Sequence, residues 1–137
     1  MPEALASRTE SGCMTTGRLL ILDDDETVGQ TLLFAAQTCS FEARLCTTAA
    51  SFLAELASWP ATHLAIDLNL PGGSGREVLS RLAAISCGAS VIVCSGAGGA
   101  ELEAAQAEAK ALGLHTTGVL TKPFRLTRLK ALLAEER

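Results

Sequence analysis

The sequence predicts an α/β fold: a doubly wound, five-stranded parallel sheet with helices on both faces. Three observations carry that prediction. Five short apolar runs alternate with five stretches of helical periodicity, the order expected when each strand is followed by a crossover helix. The strand candidates are near-continuous apolar runs, as burial on both faces requires. Polar residues able to do chemistry stand where strands end, at the edge where open sheets of this kind hold ligands.

The chain has 137 residues, enough for one domain that buries about 68–70% of its unfolded surface. With 48% hydrophobic and 19% charged residues, a packed core is expected rather than disorder. A net charge of -4 argues against a nucleic-acid backbone as partner. No apolar run approaches a membrane span, and the start lacks the pattern of a signal peptide. Five cysteines without a C-x-x-C pair or nearby His make a zinc site unexpected; Cys46 and Cys94 fall in strands as small hydrophobes. Reduced thiols suit a cytoplasmic protein.

Residues 1–17 are rich in Ser, Thr, Gly and Ala without periodicity, so a flexible leader is expected there and a folded domain over 18–137. The first strand is Leu19–Leu22, followed by a helix with Val28, Leu32, Ala35 and Cys39 at helical spacing. The second is Phe41–Cys46, with a helix carrying Phe52, Leu53 and Leu56 and shortened by Trp59-Pro60. The third is Leu64–Ile66; Ser74 or Gly75 opens the helix that presents Val78, Leu82 and Ile85. The fourth is Val91–Cys94, before an alanine-rich helix with Leu102, Ala105, Ala109 and Leu112, where Glu101 and Glu103 suit the N-terminal dipole. The fifth is Val119–Thr121, with Leu126, Leu129 and Leu133 on the last helix. His63, at the start of the third strand, and His115, in the turn before the fifth, read as solvated turn residues.

The first strand runs into Asp23, Asp24 and Asp25. Two ionised carboxylates about 4 Å apart cost about 4 kcal/mol at an effective dielectric of about 20. Such a cluster at a buried strand end calls for a cation. Asp67 ends the third strand, Ser95 the fourth and Lys122 the fifth. Carboxylates, a hydroxyl and an ammonium at one edge suit phosphoryl transfer, in which Mg²⁺ takes oxygen ligands and a carboxylate attacks phosphorus. Asp25 and Glu26 read as the start of the first helix.

The stretches "LLILDDDE", "LAIDLNLPGGSGREVL", "VIVCSGA" and "GVLTKPF" together resemble the receiver domain of two-component response regulators, in order and spacing, from Arg18 to about Glu135. The resemblance implies a flavodoxin-like (βα)5 fold with strand order 2-1-3-4-5. It implies Asp67 as phosphoacceptor, Asp24 as direct metal ligand and Asp23 as a carboxylate reaching the metal through water. Asn69 would offer its backbone carbonyl to the metal, while Ser95 and Lys122 would contact the phosphoryl group. Lys122-Pro123 matches a bond that is usually cis in the family. Backbone amides near Gly96 and Ala97 would touch the phosphoryl group, and the small Ala97 would leave it open to water.

The family also implies a phosphohistidine donor, on a sensor histidine kinase or phosphotransfer protein, and a role as a signalling switch rather than a turnover enzyme. The fourth helix, fifth strand and fifth helix are the expected signalling surface, with a homodimer through that face. The sequence departs from the family at Val119, three residues before the lysine, where an aromatic switch is usual; the chain has no tyrosine. Because the sequence closes on its fifth helix, either a stand-alone regulator or a receiver cut from a longer protein is expected. Two alternatives stay open. Asp23, Asp25 and Thr27 also resemble the D-x-D-x-T motif of haloacid-dehalogenase-like phosphatases, with Asp23 as nucleophile, although Asp67 precedes Ser95, the wrong order for that family. The other is an interaction module that works without phosphorylation.

Overall fold

A computed structural model describes residues 17–70, 75–85, 87–96 and 99–134. The expected leader up to residue 16, Ser74, Ala97 and Glu135 lie outside the described residues. The elements in chain order are β1 (Gly17–Leu22), α1 (Glu26–Thr38), β2 (Phe41–Cys46), α2 (Ala49–Ser58) and β3 (His63–Asp67). They continue with α3 (Gly75–Ala84), β4 (Ser90–Ser95), α4 (Gly99–Ala111), β5 (His115–Thr121) and α5 (Leu126–Ala134). All strand pairs are parallel and the sheet order is β2-β1-β3-β4-β5, the expected 2-1-3-4-5.

Alternating side chains of the central strands feed two cores. Leu20, Leu22, Leu64, Ile66, Val91 and Val93 pack with residues of α2, α3 and α4, among them Phe52, Leu79 and Leu102. Leu19, Ile21, Ala65 and Ile92 pack on the other side with Leu32 of α1 and with Leu129 and Leu132 of α5. Both faces of the sheet are thus covered, which is why the strands lack a polar alternation.

Local signals set the helix ends. The Asp25 carboxylate accepts hydrogen bonds from the amides of Thr27 and Val28, capping α1, and the Thr48 hydroxyl accepts from Ser51 to cap α2. Past α4, Gly113 adopts φ 91°, while the Gly113 and Leu114 amides donate to the carbonyls of Lys110 and Ala109.

Several expectations are corrected. β5 begins at His115 rather than Val119, and His115 pairs with Ser90 instead of lying in a turn. His63 is buried: its ring meets Phe41 edge-on at 5.0 Å, and Nδ1 lies 2.8 Å from the Thr62 hydroxyl. Ile85 lies beyond α3 and is 62% exposed, so it is no core residue. Leu112 and Leu126 are 41% and 49% exposed, with Leu132 filling the core beside Leu129 and Leu133. β1 begins at Gly17, the last residue of the expected leader.

One glycine ties the fold to the site. A Cβ on Gly75 would sit 2.4 Å from the Asp67 carbonyl oxygen and 2.8 Å from the Leu68 Cα, both backbone atoms that cannot swing aside. Only glycine lets α3 start this close to the end of β3. Gly75→Ala is expected to lower stability by about 1–3 kcal/mol, measured by urea denaturation.

Candidate functional site

Strand register assembles the site. Leu22 pairs with both Cys46 and Ile66, Asp67 with Cys94, and Ser95 with Thr121. The ladder continues past the strand ends: the amides of Asp23, Leu68 and Lys122 donate to the carbonyls of Cys46, Cys94 and Ser95 at 3.1, 2.9 and 2.9 Å. Asp23, Asp67, Ser95 and Lys122 therefore arrive at the carboxyl edge of the sheet on backbone that is fixed by hydrogen bonds.

Lys122 Nζ lies 2.8 Å from Asp23 Oδ2 and 3.3 Å from Asp67 Oδ2, with both carboxylates buried. Asp24 is exposed, and carboxylate oxygens of Asp23, Asp24 and Asp67 fall within 4.8 Å of one another. Asp23 Oδ1 accepts from the Asp25 amide at 2.9 Å, and Asp67 Oδ1 from the Asn69 amide at 3.0 Å. The Ser95 hydroxyl donates to Asn69 Oδ1 at 2.6 Å.

Burial pushes the Asp67 carboxyl above its ordinary value of 3.8; the Asn69 amide and Lys122 oppose the rise and Asp23 adds to it. Burial works against the Lys122 ammonium, but the hydrogen bond to Asp23 and the charges of Asp67 and Asp23 outweigh it, so its pKa moves up from 10.5. Lys122 is thus a fixed cation at neutral pH. Burial pushes the neighbouring Cys94 thiol up to about 12, leaving it an inert hydrophobe.

Of the residues expected at the site, the structure brings together Asp23, Asp24, Asp67 and Lys122, and joins Ser95 to them through Asn69. Asp25 stands apart as the α1 cap, so its carboxylate is engaged elsewhere than the D-x-D-x-T reading requires. The Lys122-Pro123 bond is cis, as the resemblance implies. Val119 is half-buried against the core on the α4 side, with no ring in that place. Sequence reasoning missed the Asn69 side chain as the partner of Ser95. A polar residue two positions after Asp67 was the available signal, but it does not say which atom is used.

An all-oxygen donor set with two buried carboxylates suits a hard divalent cation such as Mg²⁺. The geometry so far defines a doubly wound α/β domain with an acidic, lysine-bridged site at its strand ends. The family model described as response regulator receiver domain matches residues 19–134. The chain belongs to that family, and is a receiver domain of the two-component response regulators.

Among its relatives is the transcriptional regulatory protein FixJ of Bradyrhizobium diazoefficiens, 28% identical over 119 residues, covering 87% of this chain and 56% of that protein. FixJ of Azorhizobium caulinodans is 31% identical over 104 residues, covering 76% of this chain and 47% of that protein. The chain thus spans about half the length of these curated relatives. Among solved structures, the chemotaxis response regulator CheY4 of Vibrio cholerae superposes with a TM-score of 0.74 at 22% identity, covering 87% of this chain and 97% of that one. That likeness shows the fold.

A raised Asp67 pKa has a definite sign for stability. The folded state binds this proton more tightly than the unfolded chain, so the contribution is favourable below pH 3.8 and is lost as pH rises through the folded value. At neutral pH without metal, ionised Asp67 therefore costs stability. Asp67→Asn is expected to raise the thermal midpoint of the metal-free protein at pH 7, and the gain should vanish toward pH 3.8. Thermal unfolding followed by circular dichroism across that range checks it.

Proposed function

We propose that the chain is a phosphoacceptor: Asp67 takes a phosphoryl group from a phosphohistidine of a sensor histidine kinase or phosphotransfer protein, in a Mg²⁺-dependent reaction. The phosphorylated domain then acts as a signalling switch in a phosphorelay rather than as a turnover enzyme. Receiver domains of response regulators interact with such kinases and phosphotransfer proteins. The observation that carries the reading is Lys122 Nζ lying against both Asp23 and Asp67 while Asp24 completes an acidic cluster at the same strand ends.

In this mechanism a carboxylate oxygen of Asp67 attacks phosphorus. The new O–P bond forms as the P–N bond to the donor imidazole breaks; its electron pair stays on the imidazole nitrogen, which then takes a proton from solvent. Lys122 gives its charge to the phosphoryl oxygens and Ser95 donates its hydroxyl proton to one of them. Asp23, Asp24, Asp67 and the backbone carbonyl of Asn69 would hold Mg²⁺, which supplies charge neutralisation when bound. Hydrolysis of the acyl phosphate resets the switch.

Reduced thiols at Cys46, Cys87 and Cys94 suit the cytoplasm, and among the described residues no helix is long and apolar enough to cross a membrane. The net charge of -4 speaks against nucleic acid as a ligand of this chain. We assign signalling contacts, a homodimer included, to the face of α4, β5 and α5, supported by the position of β5 at an open sheet edge.

Incubation with acetyl phosphate and Mg²⁺, read by intact mass, is expected to give one phosphoryl adduct on the wild type and none on Asp67→Asn. No adduct on the wild type, or equal adducts on both, overturns the reading and favours a phosphorylation-independent module. Asp24→Asn should retain the fold and weaken Mg²⁺ binding by at least about tenfold, measured by titration calorimetry.

A further inference from the structure

Ser95 is fully buried at the end of β4, and its hydroxyl donates to Asn69 Oδ1 at 2.6 Å. A serine hydroxyl has one proton to donate. While that proton is on Asn69 it cannot be given to a phosphoryl oxygen on Asp67. The two hydrogen bonds exclude each other, so entry of the phosphoryl group into the Ser95 contact must break the one seen here.

Asn69 is well placed to set that cost. Its own amide donates to Asp67 Oδ1 at 3.0 Å, which fixes the residue beside the acceptor carboxylate. Its side chain crosses from the β3 loop to the end of β4, a separation of 26 residues in sequence. Asn69 is exposed, so its carboxamide can exchange Ser95 for water when the hydroxyl leaves.

We propose that the Asn69 side chain is a positioning residue, a latch that holds the Ser95 hydroxyl in the unphosphorylated arrangement and so opposes engagement of the phosphoryl group. This rests on Asp67 being the phosphoacceptor and adds what sets the balance between its two states. The latch acts through the Asn69 side chain alone; the backbone carbonyl assigned to the metal is retained in any substitution.

The test is a double-mutant cycle on the full chain, with Mg²⁺-beryllofluoride as the phosphoryl mimic and Mg²⁺ affinity measured separately. Asn69→Ala is expected to tighten beryllofluoride binding about 3- to 10-fold, the scale of one net hydrogen bond. In the Ser95→Ala background the same substitution should change binding by less than about twofold, because no hydroxyl is left to release. An equal shift in both backgrounds, no shift in either, or weaker binding in Asn69→Ala overturns the latch. A wild type that binds the mimic without such coupling removes the latch and leaves the phosphoacceptor reading standing. A wild type that neither binds the mimic nor forms an adduct on Asp67 removes both.

Discussion

The ammonium of Lys122 between the buried carboxylates of Asp23 and Asp67 is the interaction on which the rest of the site depends. Two carboxylates taken out of water at neighbouring strand ends repel each other, and their desolvation cannot be offset by backbone amides alone. The cation comes from the far edge strand, so it can serve only if β5 is in register with β4, and β4 with β3. Register in turn is fixed by the two apolar cores, because a slip of one residue would turn each core-facing set to the opposite face. Packing thus specifies the electrostatics, and removal of the Lys122 ammonium would leave two buried carboxylates uncompensated.

Much of this was legible in the chain. The central strands advertise themselves because burial on both faces leaves no room for polar residues: β1, β3 and β4 carry unbroken apolar stretches. Asp23, Asp67, Ser95 and Lys122 stand out because each interrupts or follows such a run. The aspartate run also divides as its chemistry suggests, with the Asp25 carboxylate on helix amides and the Asp23 carboxylate on Lys122.

What the pattern hid has physical causes. β5 is an edge strand, and its first half, His115 to Gly118, has little apolar surface to signal a strand, so only its last residues are legible from the sequence. His63 looks solvated from its polarity, yet an aromatic neighbour from β2 and the Thr62 hydroxyl make burial acceptable. Neither contact is local enough to be read from spacing. Ile85 keeps helical phase with Leu82 but falls after the last turn, where phase no longer means burial. The Asn69–Ser95 bond joins the loop after β3 to the last residue of β4 and depends on a rotamer.

Three carboxylates share the site, and their surroundings make them unequal. Both oxygens of Asp23 are engaged, one by the Asp25 amide and the other by Lys122 at 2.8 Å, so its charge is the better compensated. Asp24 is exposed, where water keeps a carboxylate well solvated and open to a cation. Asp67 is buried with one oxygen on the Asn69 amide and the other at the longer 3.3 Å contact to Lys122. Burial raises its pKa, which means that its anion is the less stabilised and the more basic for it. A weakly held, desolvated oxygen beside a fixed ammonium is what an attack on phosphorus needs, because the charge passing to the phosphoryl oxygens already has its counter-ion in place. The same geometry therefore supports Asp67 as acceptor over its two acidic neighbours.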